Sequence, residues 1–138
     1  MIPQILKPLM LAAALALPGI GAAQALPPLA ENERVAREFL AVAVGDAIRK
    51  NCPTVYARIF YVLRKANELE RYALSLGYSE DDIEEMRKNP ENKARLRALR
   101  DAYLAENGVV AGDAESYCRL GRREIENETL IGSLLWSR

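Results

Sequence analysis

Histidine is absent from the 138 residues. That removes the commonest general base, the commonest transition-metal ligand and the usual switch near neutral pH. Cysteine is scarce: Cys52 and Cys118 are the two, too few and too far apart for a CxxC redox pair or a thiolate metal cluster. An excess of positive charge is also missing, with 19 Lys and Arg against 19 Asp and Glu. A near-neutral chain lacks the basic footprint that nucleic-acid binding needs. No alternation of apolar and polar residues suggests a strand, and no internal repeat is visible.

What is present begins with a leader. Lys7 precedes the apolar run PLMLAAALALPGIG, and Ala23-Gln24-Ala25 follows. A short positive region, an apolar core and a small-x-small ending read as a secretory signal peptide over residues 1–25. Cleavage is expected after Ala25, with Ala23 as the alternative. Pro18 and Gly21 interrupt the run, and it is short for a membrane span. No stable membrane insertion is therefore expected once the leader is removed. Residues 26–138 then form one small domain. Lys7 is the only charge lost, which leaves 18 bases against 19 acids. The expected location is the periplasm.

In an exported chain two cysteines read as a disulfide between Cys52 and Cys118. The loop it closes holds about 66 residues and contributes roughly 4 kcal/mol in the chain-entropy account. Cys52 also stands where a helix is expected to begin, a place that lowers a thiol pKa. With no histidine beside it to act as a base, the structural pairing is the better reading.

Apolar spacing predicts five helices. The first covers 33–50, capped by Asn32, with Val35, Phe39, Ala43 and Ile48 on its inner face. The second is the longest, from Cys52 to Leu76. Val55, Ile59, Val62, Ala66, Leu69, Ala73 and Leu76 make one stripe along it, and Phe60, Leu63 and Leu74 widen the stripe. That width predicts a central helix, hairpinned against the first and stopped by Gly77. Ser79 caps a third, lid-like helix over 80–88. Asn89-Pro90 starts a fourth over 90–107, with Leu96, Leu99 and Tyr103 inward. Asp113 caps a fifth over 114–127, which carries Cys118 on its inner face. The stretch 129–138 reads as a final helical turn or an irregular strap. The fold class is all-α: a small bundle of about five helices stapled by one disulfide.

Three stretches are candidates for interaction. Glu80-Asp81-Asp82-Ile83-Glu84-Glu85 is acidic but lacks the alternate oxygen spacing of a calcium loop; it fits a helix N-terminus. No metal or other cofactor is expected. Between Arg87 and Arg100 stand six bases and one acid. Lys93, Arg97 and Arg100 share a face that would meet an anionic partner, or would be solvated and paired with the acids of the preceding helix. The apolar tail, with Leu130, Leu134, Leu135 and Trp136, is a partner surface if it is not core.

The segments NERV, AVGDAIRKNCPTVYAR, YALSLGYS and the ESYCRLGR run resemble a family of small exported alphaproteobacterial proteins known only as a domain of unknown function. The resemblance covers roughly residues 32–138. It implies a helical periplasmic protein and supplies no catalytic residues. In architecture alone the chain is also similar to the small helical acid-stress holdases of the periplasm, although its cysteines lie further apart.

No nucleophile–base pair, ligand cluster or phosphate loop can be assembled from these residues. The chain is thus read as a non-enzymatic protein-binding or accessory module with a periplasmic protein partner. The alternatives are an acid- or stress-responsive holdase and, with less support, an enzyme acting on cell-wall glycan through some pair of its carboxylates.

Overall fold

A computed structural model describes residues 24–138, so the charged and apolar parts of the leader lie outside the described residues. A 3-10 turn at Leu29–Glu31 opens the chain. There follow α1 (Glu33–Asn51), β1 (Val55–Ala57), α2 (Ile59–Ser75), α3 (Glu80–Lys88), α4 (Pro90–Glu106), α5 (Ala114–Glu126), α6 (Leu130–Ser133) and β2 (Leu135–Ser137). The described domain is mostly helical and carries one disulfide, as the apolar spacing and the cysteine pair predict.

Local signals place most helix ends. The Asn32 side chain accepts the Val35 amide at 3.1 Å and starts α1. Ser79 and Asp82 form a reciprocal capping box on α3. Asn89 caps α4, with Pro90 at its first position. Gly77 follows α2 in the left-handed region at φ +97°, which glycine adopts at no steric cost. Asp113 departs from expectation: its side chain makes no capping bond to α5.

The centre of the fold is α1. It packs against α4, α5 and α6, and Val44 and Ile48 are wholly enclosed. The fifth helix comes closest. A Cβ added at Gly121 would stand 2.8 Å from Ile48 Cγ2 and 3.1 Å from Val55 Cγ2, so the contact depends on the missing side chain. One turn earlier on α5, Cys118 is bonded to Cys52, with the two Cα atoms 5.1 Å apart. On α4 Leu104 is buried and Leu96 and Tyr103 of the expected inward face are half-buried, whereas Leu99, also expected inward, is 48% exposed.

The longest predicted helix is corrected at its head and in its place. Val55–Ala57 is a strand, and α2 begins only at Ile59. Cys52 is held extended, at φ −117° and ψ 116°, as a residue before proline prefers. Three residues later the chain pairs antiparallel with the tail, Val55 opposite Ser137, Tyr56 opposite Trp136 and Ala57 opposite Leu135. The Tyr56 and Trp136 rings stack at 4.7 Å between centroids. The expected absence of strands thus fails at this one pairing. The alternation is too short to register in the sequence, and its partner is distant.

Nor is α2 central. Its only fully buried residue is Ala73. Ile59 is 57% exposed, Phe60 88% and Leu63 57%. Of the residues that widen the apolar stripe, Phe60, Leu63 and Leu74 face water and Tyr56 is half-buried; within the stripe itself Ile59, Ala66 and Leu76 are exposed as well. Ala73 still packs with Val35, Leu29 and Tyr78 in a small second core, so α2 meets α1 near one end and leaves a gap along the rest. Because Gly121 sets the approach of α5 to α1, Gly121→Ala is expected to destabilise the fold by about 1–3 kcal/mol. Chemical denaturation of the variant and the parent measures the difference.

Candidate functional site

The gap between α1 and α2 is a groove of about 270 Å³. Val35 and Phe39 from α1, Val62 and Leu69 from α2, Ile83 and Met86 from α3 make much of its lining, and Leu130 and Leu134 close one side. Charged residues stand at its margin, and three of them are already paired. Glu38 binds Arg34 at 2.8 Å, Lys65 binds Glu68 at 3.1 Å and Arg87 binds Glu84 at 2.6 Å. An apolar trough with three of its four rim charges paired, Glu70 being the fourth, suits an apolar ligand surface better than a polar substrate. A second groove, about 310 Å³, lies between α1 and α4 and shares Val35, Phe39 and Met86 with the first. A third depression, about 500 Å³, is bordered by the segment 25–30 and by the polar Asp82, Glu85 and Asn89.

The α3 helix lies over the two apolar grooves, through Met86 and Arg87 in both and Ile83 in the first. It is the expected lid. No residue of α3 is buried, so its helical state leans on its own caps and ion pairs. The Ser79 amide and hydroxyl hold the Asp82 carboxyl below its usual range. Hydrogen bonds from Lys88 and Arg87 lower Glu84 from 4.5 to about 2. On α1, burial works to raise Asp46, but Lys50 and Arg49 outweigh it and the net shift is downward.

The tail is mostly core, so the condition on which it was a candidate partner surface is not met. Leu134 and Leu135 are 5% and 3% exposed and join Ile131 in the main cluster; Leu130 is half-buried against that cluster. Trp136 alone of the four stays open, at 42%, stacked on Tyr56. The physical reason is the strand: pairing with β1 fixes the tail across the end of α1 and turns Leu135 inward, where it lies 3.7 Å from the Cβ position of Gly45.

The basic face is exposed as expected at Lys93 and Arg97, while Arg100 is half-buried. Arg100 pairs with its neighbour Asp101 at 2.8 Å, and among the described residues Lys93 and Arg97 enter no ion pair. The expected pairing of α3 acids with these bases does not occur. Glu84 takes Arg87 and Lys88 from its own helix instead, at 2.6 Å each, because partners three and four residues on are nearer.

One polar cluster has no counterpart in the sequence reading. Glu124 is 4% exposed. The Tyr103 hydroxyl donates to its Oε1 at 2.5 Å, and the Thr129 hydroxyl donates to Oε2. Burial, and then this bond to Glu124, push the Tyr103 hydroxyl up to about 12. Gly132 lies so close that a Cβ there would meet the Glu124 carbonyl. The cluster ties α4, α5 and α6 together with both carboxylate oxygens satisfied. A single Glu in a charged helix gives no sequence signal of burial.

Among the described residues no group of three His, Cys, Asp or Glu side chains is placed to hold a metal ion. No helix among them is long and apolar enough to cross a membrane.

The fold and its groove define a small, mostly helical, disulfide-stapled domain. The chain belongs to a family of unknown function (DUF5333), whose model matches residues 27–136 and so spans the helices, the disulfide and all but the last residue of the strand pairing. No curated protein and no solved structure matched the chain.

The lid has a pH dependence with a definite sign. Groups whose pKa is lowered by folding stabilise the folded form above their unfolded value, and that contribution is lost as pH falls through the folded value. For Glu84 the window runs from 4.5 down to about 2, and Asp82 shifts in the same direction. Amide exchange, corrected for its intrinsic pH dependence, is expected to show α3 losing protection in this window before α1 and α5 do. The Asp82→Asn, Glu84→Gln variant should show that loss already at neutral pH.

Proposed function

We propose that the protein is a non-catalytic binding module of the periplasm that seats an apolar, helix-forming segment of a protein partner between α1 and α2. The observation that carries the reading is the groove itself. Two helices that meet near one end leave an apolar trough with mostly paired charges on its rim. A helix laid in a groove is a recurring mode of peptide recognition, and it needs this combination of apolar floor and polar margin. The disulfide and the leader sequence support the periplasmic setting.

Val42 and Ala66 line the groove and are exposed, so changing them need not disturb the core. A photo-crosslinking residue at Ala66 is expected to give one discrete adduct in cells, and Val42→Asp is expected to abolish it. Adducts that match those from a probe at the remote, exposed Glu115, or that survive Val42→Asp, would count against the groove.

A second reading, an acid-responsive holdase, is favoured by one observation. The lid over both apolar grooves is held by carboxylates that lose their partners only in acid. Protonation would loosen α3 and widen the apolar surface on offer. Suppression of client aggregation at pH 3 but not at pH 7, shifted to neutral pH by the Asp82→Asn, Glu84→Gln variant, is the expected result. No suppression at either pH would remove this reading.

A further inference from the structure

The groove between α1 and α4 differs from the first in the charge around it. In the first, Glu38 and Glu70 stand beside Lys65 and Arg87. In the second, the charged lining residues are Arg87, Lys93 and Arg95, with no acid among them. Glu91, the one acid between Arg87 and Arg100, borders the third depression instead. Glu84 neutralises Arg87, so Lys93 and Arg95 carry the uncompensated charge. Both are exposed, and neither enters an ion pair among the described residues. The Arg95 guanidinium donates to the Ala30 carbonyl at 3.3 Å, which anchors it beside another lining residue.

The lining is also polarised along its length. Arg87, Asn92, Lys93 and Arg95 gather at the corner where α3 gives way to α4, and Leu96, Leu99 and Phe39 continue from it as apolar surface. Leu99, at 48%, is the one large apolar residue of α4 left in the open. An apolar channel that ends in unpaired cations is complementary to a molecule with an apolar tail and an anionic head.

We infer that the α1–α4 groove binds a fatty acid, with its carboxylate between Lys93 and Arg95 and its chain along Leu96, Phe39 and Leu99. The N–H groups of Arg95 not given to Ala30 suit the two oxygens of a carboxylate, and Lys93 adds a point charge. From Lys93 to Leu99 the helix advances about 9 Å. A groove of about 310 Å³ is at the small end of ligand sites. Those dimensions admit one short acyl chain and not the two chains of a phospholipid. The basic run of the sequence thereby acquires a ligand, through Lys93 and Arg95 and not through the face that Lys93 shares with Arg97 and Arg100. The site is separable from the groove of the proposed function. Lys93, Arg95, Leu96 and Leu99 line only this one, and Val42 and Ala66 only the other.

Titration of the purified protein with decanoate, followed by amide chemical shifts, is expected to give saturable binding at one site, with the largest shifts at Leu96 and Leu99. Decyltrimethylammonium has the same chain and the opposite charge, and should bind more weakly by about tenfold or more. Acetate, the head without the chain, should not bind. The double variant Lys93→Glu, Arg95→Glu should reverse the preference between the two amphiphiles. Leu99→Asp, at an exposed position, should weaken decanoate binding by about tenfold or more. Circular dichroism establishes that each variant is folded. The inference is overturned by any of four results: no saturable binding of decanoate, equal affinity for the two amphiphiles, a preference unchanged in either variant, or shifts centred on Ala66 and Leu69 of the other groove. Crosslinking from Ala66 reads the other groove and is not altered by these outcomes.

Discussion

The structure depends on how closely α5 can approach α1. Gly121 removes the one side chain that would hold them apart, and Ile48 and Val55 fill the space it leaves. The Cys52–Cys118 bond then fixes the same contact covalently, at the point where α1 gives way to β1. Apolar packing and the disulfide therefore act on one junction instead of two. In a domain this small, where the core alone supplies little net stability, that concentration makes one half of the molecule rigid. The other half, α2 and α3, is left with few buried side chains of its own.

This division organises the surface. The rigid half of α1, α4, α5, α6 and the strand pair contains the main core and the buried Glu124 cluster. The lighter half supplies the second wall of the groove, opposite α1, and its lid. Elements with few buried contacts are the ones that open locally at low cost, and α3 has no fully buried residue. A binding surface made by the lighter half can change shape without disturbing the stapled junction.

Much of this was legible in the residues. Asn32, Ser79, Asn89-Pro90 and Gly77 carry the local chemistry of helix ends, and the helix limits fall where those signals stand. The disulfide was legible because only two cysteines exist. The place of α2 was not. A wide apolar stripe is what a central helix and a two-sided surface helix share, and periodicity cannot tell which neighbour covers which side. The head of α2 was misread for a related reason: three residues of strand make too short an alternation to separate from a helical turn, and what makes them a strand is main chain far along the sequence. The tail was ambiguous until that partner was known. Of the candidate sites, Lys93 and Arg97 are exposed as their spacing implies, whereas the groove is lined by residues of α1, α2, α3 and α6 that no motif joins.

The short strand pairing has a bearing on how the chain reaches its final form. Helices close through neighbours and form quickly, but Val55 must wait for Ser137, across nearly the whole domain. A β1 not yet paired has an open backbone edge. Such an edge accepts any extended segment that arrives first, including the tail of another molecule. The same few hydrogen bonds that finish a monomer could thus, in a crowded compartment, exchange tails between chains.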